Sequence, residues 1–178
     1  MQATESQTRT SGTGGAPLDD GRWVSIRPID AADAPGLSAF YAALSPDSIC
    51  RRFLSAQRPT ESALRQFTDP GAGGVVAVLN EAGPSDGAII GHGSVQHCGD
   101  REVELAFAVG DEFQGRGIGT RLMRAALGEA RRLGARRVTA SLLIDNVRMR
   151  RLLLGAGWPI VSDRLDAGIE DISLALAP

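Results

Sequence analysis

The chain contains no lysine; all 19 of its basic residues are arginine. That absence excludes a Walker-type phosphate loop, whose lysine reaches the phosphates. Any phosphate binding must then come from backbone N–H groups or from arginine forks. Cysteine is nearly absent too, with only Cys50 and Cys98 in 178 residues. Two cysteines cannot form the disulfide framework of a small secreted domain, so both are read as free thiols. No apolar run approaches the roughly 18 residues that a spanning helix needs. Met1 to Thr10 lack the apolar core of a secretory signal, so a cytoplasmic protein is expected. A net charge of −2 gives no electrostatic footprint for nucleic acid. What remains is a soluble, single-domain composition, 43% hydrophobic and 22% charged.

The first twenty residues, rich in Thr, Ser, Gly and Gln, read as a disordered arm, with the folded domain over 21–178. Trp23 to Ile26 begins a strand. Asp30 and Thr60 are placed to cap helices running toward Leu44 and Phe67, and Ser45-Pro46-Asp47 reads as a turn before a short helical stretch through Phe53. Gly73–Asn80, Ala88–His97 and Arg101–Val109 read as a strand meander, with turns at Glu81–Gly87 and Cys98–Asp100. A long amphipathic helix follows over Gly117–Leu133, then a strand over Val138–Leu143 and a helix over Val147–Leu154. Two short strands near Pro159–Ser162 and Ile172–Leu176 close the chain, and Trp23 and Trp158 read as core or core-edge residues. A meander followed by alternating helices and strands predicts an α/β fold: a mixed, largely antiparallel sheet with helices on both faces.

The most specific signal is Gln114-Gly-Arg-Gly-Ile-Gly-Thr120, where a strand gives way to the long helix through alternating glycines. Gly115, Gly117 and Gly119 allow close backbone approach, and the free N–H groups of a first helical turn favour an anion such as pyrophosphate. The spacing is not that of the dinucleotide fingerprint.

This loop resembles the acetyl-CoA motif of the GNAT superfamily, and Asp145-Asn146 through Gly157-Trp158 resembles that superfamily's later segment. The stretches Ser45 to Ser55 and Glu104 to Val109 look like the acetyltransferase module of bacterial Pat-type protein lysine acetyltransferases. Some of that group carry a cyclic-nucleotide domain; this chain is expected to hold the acetyltransferase module alone. The resemblance implies a splayed central pair of parallel strands and acetyl-CoA as co-substrate, with no metal. It implies pyrophosphate on the backbone of Gln114, Gly115, Arg116, Gly117, Ile118, Gly119 and Thr120. It implies pantetheine along Phe107, Ala108 and Val109 and near Asn146. Arg116, Arg121 and Arg151 are either phosphate contacts or a solvated helix face.

Attack of an amine on a thioester needs a base, because a lysine-like amine has a pKa near ~10.4. Strand alternation sets Glu104 with Ala106 and Ala108, opposite Val103, Leu105, Phe107 and Val109. Glu104 matches the catalytic glutamate of the Pat-type module; as an exposed strand residue it would have no role. The family's acid is a tyrosine seven residues after the asparagine, and Leu153 stands there; the sole tyrosine is Tyr41. His92 and His97 fall on opposite strand faces, which does not suit one metal. The implied reaction is acetyl transfer to a primary amine, foremost a protein lysine. The alternatives are a small amine, such as an antibiotic or polyamine, and a non-catalytic acetyl-CoA-binding regulator. No nucleic acid or membrane partner is expected, and a homodimer is the one assembly left open.

Overall fold

A computed structural model describes residues 15–69, 71–80 and 87–176. In chain order the elements are β1 (Ala16–Pro17), β2 (Trp23–Pro28), α1 (Ala34–Ala43), α2 (Pro46–Phe53), α3 (Glu61–Gln66), β3 (Gly73–Asn80), β4 (Ala88–Gly99), β5 (Glu102–Val109), α4 (Ile118–Arg132), β6 (Arg137–Leu143), α5 (Val147–Leu154), β7 (Ile160–Asp166) and β8 (Ile169–Ala175). One sheet holds all eight strands in the order β1-β2-β3-β4-β5-β6-β8-β7. Every pairing is antiparallel except β5 with β6.

Interior strand β3 is apolar and buried from Gly73 to Leu79 because both its faces are covered. Val75, Ala77 and Leu79 join Leu122, Met123, Ala126 and Leu153 of α4 and α5 in one core. Val76 and Val78 join Leu37, Tyr41, Ile49 and Leu64 of α1 to α3 in the other. Helices therefore cover both faces. The two expected caps form, Asp30 accepting from Ala32 N–H ahead of α1 and Thr60 from Ala63 N–H, and Ser45, at the expected turn, caps α2 by accepting from Ser48 N–H. Among the described residues no helix is long and apolar enough to cross a membrane.

Three expectations need correction. The arm does not extend to residue 20: β1 pairs with β2, and Leu18 lies in the main core at 6% exposure. Local composition hides this, because the hairpin is stabilised by contacts with distant strands. Leu18→Ala should lower unfolding free energy by about 2 kcal/mol in urea titrations, whereas a loose arm would show no change. Trp23 is 51% exposed, since β2 turns Val24 and Ile26 inward and the alternation puts Trp23 outside; Trp158 does pack on the core edge. The last two strands are longer than expected and form a hairpin through Ala167 and Gly168, both at positive φ. Their polar residues concealed the strand pattern, as suits an edge hairpin. The turn expected at Glu81–Gly87 lies, but for Gly87, outside the described residues.

Candidate active site

The site is set by where β5 and β6 stop pairing. Their parallel register runs only through Glu102↔Arg137, Val103↔Val138 and Glu104↔Thr139. Beyond that point β5 stays paired to β4 as far as Val109, and β6 stays paired to β8 as far as Leu143. The two inner edges are therefore open to a ligand while each strand keeps its outer neighbour. A cleft of about 810 Å³ occupies the gap.

At the end of β5, Gly110 and a 3₁₀ turn over Asp111–Phe113 lead into the glycine loop. Gly115 and Gly117 both have φ 78°, a left-handed conformation that favours glycine. The loop delivers α4, the longest helix, with a bare start. Side chains cap α2, α3 and α5, but none caps α4, whose N-cap is Gly117. The N–H groups of Ile118, Gly119 and Thr120 thus have no side-chain acceptor at the positive end of the helix dipole. This arrangement fits a pyrophosphate.

Of the residues expected to hold coenzyme, Phe107, Ala108, Val109, Gln114, Gly115, Gly117, Ile118, Gly119, Thr120 and Asn146 all line the cleft. Arg116 does not. Its guanidinium pairs with Asp20 beside β1 and lies over the Phe113 ring. Arg121 is likewise engaged, donating to the Val24 carbonyl at 2.6 Å, and Arg151 is exposed outside the cleft lining. Asn146 caps α5 by accepting from Met149 N–H at 3.2 Å.

The sequence reading missed the group that holds the loop in place. Gln114 Nε2 donates to Ser48 Oγ at 3.1 Å and to the Val109 carbonyl at 3.2 Å, while Arg148 donates to Gln114 Oε1 at 3.1 Å. Asp111 accepts from Ser45 N–H, Ser45 Oγ and Ser48 Oγ, the last at 2.6 Å. Burial alone would raise the Asp111 carboxyl, but the Ser48 and Ser45 hydrogen bonds outweigh it and hold it below the usual carboxylate range. α2, the end of β5 and α5 are thereby tied around one loop. Arg51 crosses the same gap, bonding Asp47 at 2.8 Å on its own helix and Asp145 at 3.0 Å beside α5.

Glu104 lies outside this cleft. It is exposed and lines an adjoining depression of about 370 Å³ with Glu102, Arg137, Thr139, Arg164 and Asp171. Ser141 lines both cavities. The alternation placed Glu104 on the face of Ala106 and Ala108, and the cores agree: Ala108 packs with α1 to α3, Phe107 and Val109 with α4.

Neither the tyrosine nor the histidines are at this junction. Leu153 is buried in the core, and Tyr41 OH meets His92 Nδ1 at 2.8 Å in the second core. His97 is exposed, and the described residues hold no group of three metal-binding side chains. His92 is fully buried; burial, aided by the nearby Arg52 charge, pushes its pKa well below the usual value. The unfolded chain binds that proton below pH ~6.5 and the folded chain does not, so stability falls as pH drops through this value. On the order of 1 kcal/mol should be lost between pH 6.5 and 5.5 in urea titrations. His92→Asn should flatten that slope, and a slope unchanged in the variant would assign it to other groups.

The site joins an unzipped parallel strand pair to an uncapped helix behind a glycine loop, an open strand edge and an anion site suited to a phosphate-bearing coenzyme. The family follows from comparison: a model of the acetyltransferase (GNAT) family matches residues 38–158, and the chain belongs to that family. That family is one of acetyltransferases. It is 35% identical over 147 residues to the acetyltransferase Pat of Mycolicibacterium smegmatis, covering 78% of this chain and 42% of that relative. It is 32% identical to an acetyltransferase of Pseudomonas aeruginosa, covering 79% of this chain and 77% of the relative. The crystal structure of the GNAT domain of S. lividans PAT superposes with a TM-score of 0.77 at 27% identity, covering 92% of this chain and 96% of that one. The chain thus spans about two fifths of the mycobacterial Pat but nearly all of the S. lividans domain.

Proposed function

We propose that the chain transfers an acetyl group from acetyl-CoA to a primary amine, foremost a protein lysine, by direct attack with Glu104 as general base. One observation carries this reading. Strand pairing ends immediately after Glu104↔Thr139, so the coenzyme cleft opens through the sheet beside the carboxylate, and Ser141 belongs to both sides.

Acetyl-CoA supplies the activated acyl group; its pyrophosphate would rest on Gln114 to Thr120 and its pantetheine along the free edge of Phe107 to Val109. Glu104 accepts the proton as the amine nitrogen attacks the thioester carbon. A backbone N–H near Val109 holds the oxygen as charge develops on it. The CoA thiolate then leaves. A thiol pKa near ~8.5 makes it a tolerable leaving group, so water can protonate it where Leu153 replaces the family's tyrosine.

The test is CoA-thiol release against a panel of proteins and small amines, with the sites of acetylation read by mass spectrometry. The chain holds no lysine, so every acetyl-lysine found belongs to the acceptor. Turnover confined to small amines would replace the protein-lysine reading, and acetyl-CoA binding without any turnover would make the chain a regulator.

A further inference from the structure

A guanidinium with no carboxylate partner among the described residues lines the cleft. Arg52 of α2 lines the cleft and is half-buried. Its guanidinium carbon lies 4.7 Å from the ring centroid of Phe53 and 5.3 Å from that of Phe67. One terminal nitrogen donates to Ser94 Oγ at 2.8 Å, and Nε is buried with no partner. Among the described residues no carboxylate pairs with it. Its neighbour Arg51, also half-buried, has two. Two aromatic faces and the Ser94 and Tyr41 hydroxyls offset part of the desolvation cost, but the buried Nε is normally bonded as well.

Its position says what would complete it. Ser94 is the register partner of Ala106 on β5, and Ser94 Oγ also donates to the Ala106 carbonyl at 3.4 Å. Arg52 is thus anchored at the residue where the cleft opens through the sheet. The loop suited to pyrophosphate lies past the far end of β5, beyond Val109, so phosphate there is not the missing anion. Glu104 stands two residues from Ala106 along the same strand face, a Cα separation on the order of 7 Å.

We infer that Arg52 is a specificity-determining residue of the acceptor site, which takes a primary amine carrying a carboxylate on the order of 7 Å from its nitrogen. The amine meets Glu104 while the carboxylate meets the Arg52 fork, the geometry that guanidinium recognises best. An extended ω-amino acid has this reach, and so does a protein lysine flanked by an acidic side chain. The inference rests on the acetyl-transfer reading.

The experiment measures CoA release from acetyl-CoA with 6-aminohexanoate and with 6-aminohexanamide, which differ only in the charge. KM for the carboxylate should be at least about tenfold lower, with similar kcat. Arg52→Gln should raise the carboxylate's KM to that of the amide. Arg52→Lys should keep part of the preference, because it retains the charge and loses the fork. If Arg52→Gln does not fold, the parent ratio and its reduction in Arg52→Lys decide. A second arm compares two end-blocked lysine peptides differing by Glu or Gln beside the lysine. A Glu preference that depends on Arg52 assigns the carboxylate to a protein acceptor; a preference seen only with 6-aminohexanoate assigns it to a small molecule. Turnover without any charge preference, or a preference that survives Arg52→Gln, overturns the inference alone. Acetyl-CoA binding with no turnover of any amine overturns the transfer reading and this one with it.

Discussion

Glu104→Gln should reduce turnover by ~10²-fold or more near pH 7, the usual worth of general-base assistance, while leaving acetyl-CoA affinity within about threefold. The split follows from the two cavities. Glu104 is absent from the lining of the coenzyme cleft and present in the depression beside it, so its charge should matter to the acceptor and little to coenzyme capture. Gln keeps the shape and hydrogen bonding and cannot take the proton. Raising the pH should recover part of the loss, because an amine of pKa near ~10.4 becomes neutral without help. Glu102 supplies the control. It lines the same depression but faces Arg137 at 3.7 Å, further from the opening, so Glu102→Gln should turn over within a fewfold of the parent. Equal turnover by Glu104→Gln and the parent would move the base elsewhere, and a collapse of coenzyme affinity would put the carboxylate in the wrong cavity.

Much of this frame was legible because it is written in local patterns. Asp30 and Thr60 stand immediately before the helical turns they cap, and strand alternation alone put Glu104 opposite Phe107 and Val109. The glycine loop announced itself because left-handed backbone at two nearby positions calls for glycine. What was not legible depends on partners far along the chain. Arg116 looked like a phosphate ligand because it sits inside the loop, yet its counter-charge is Asp20, 96 residues earlier. The Ser48–Asp111–Gln114–Arg148 cluster draws on α2, a 3₁₀ turn, the loop and α5. No one of these residues stands out in its own neighbourhood. The division of the site into two cavities was also hidden, because it depends on where β5 and β6 cease to pair, and alternation continues unchanged through that point. Arg52 is hidden for the same reason: only the fold gives Arg51 two carboxylates and Arg52 none among the described residues.

Gly117→Val should weaken acetyl-CoA binding at least about tenfold, roughly 1.4 kcal/mol, in calorimetry. Two effects must be separated to read that result. Gly117 has φ 78°, where a β-branched residue is strained by about 1–2 kcal/mol or more, so the variant should also unfold more easily. Within the protein itself an added Cβ at this position meets nothing within 4 Å, so no internal clash adds to the strain. Gly134, just past the other end of α4, has φ 76° and equally open surroundings. Gly134→Val therefore carries the same backbone penalty far from the glycine loop. It should lose comparable stability and bind acetyl-CoA like the parent. A tenfold loss confined to Gly117→Val is what backbone approach of a pyrophosphate to the start of α4 requires, because only there would the side chain stand between the ligand and the free N–H groups of Ile118 to Thr120. Equal affinities in the two variants, both folded, would remove the pyrophosphate from this loop.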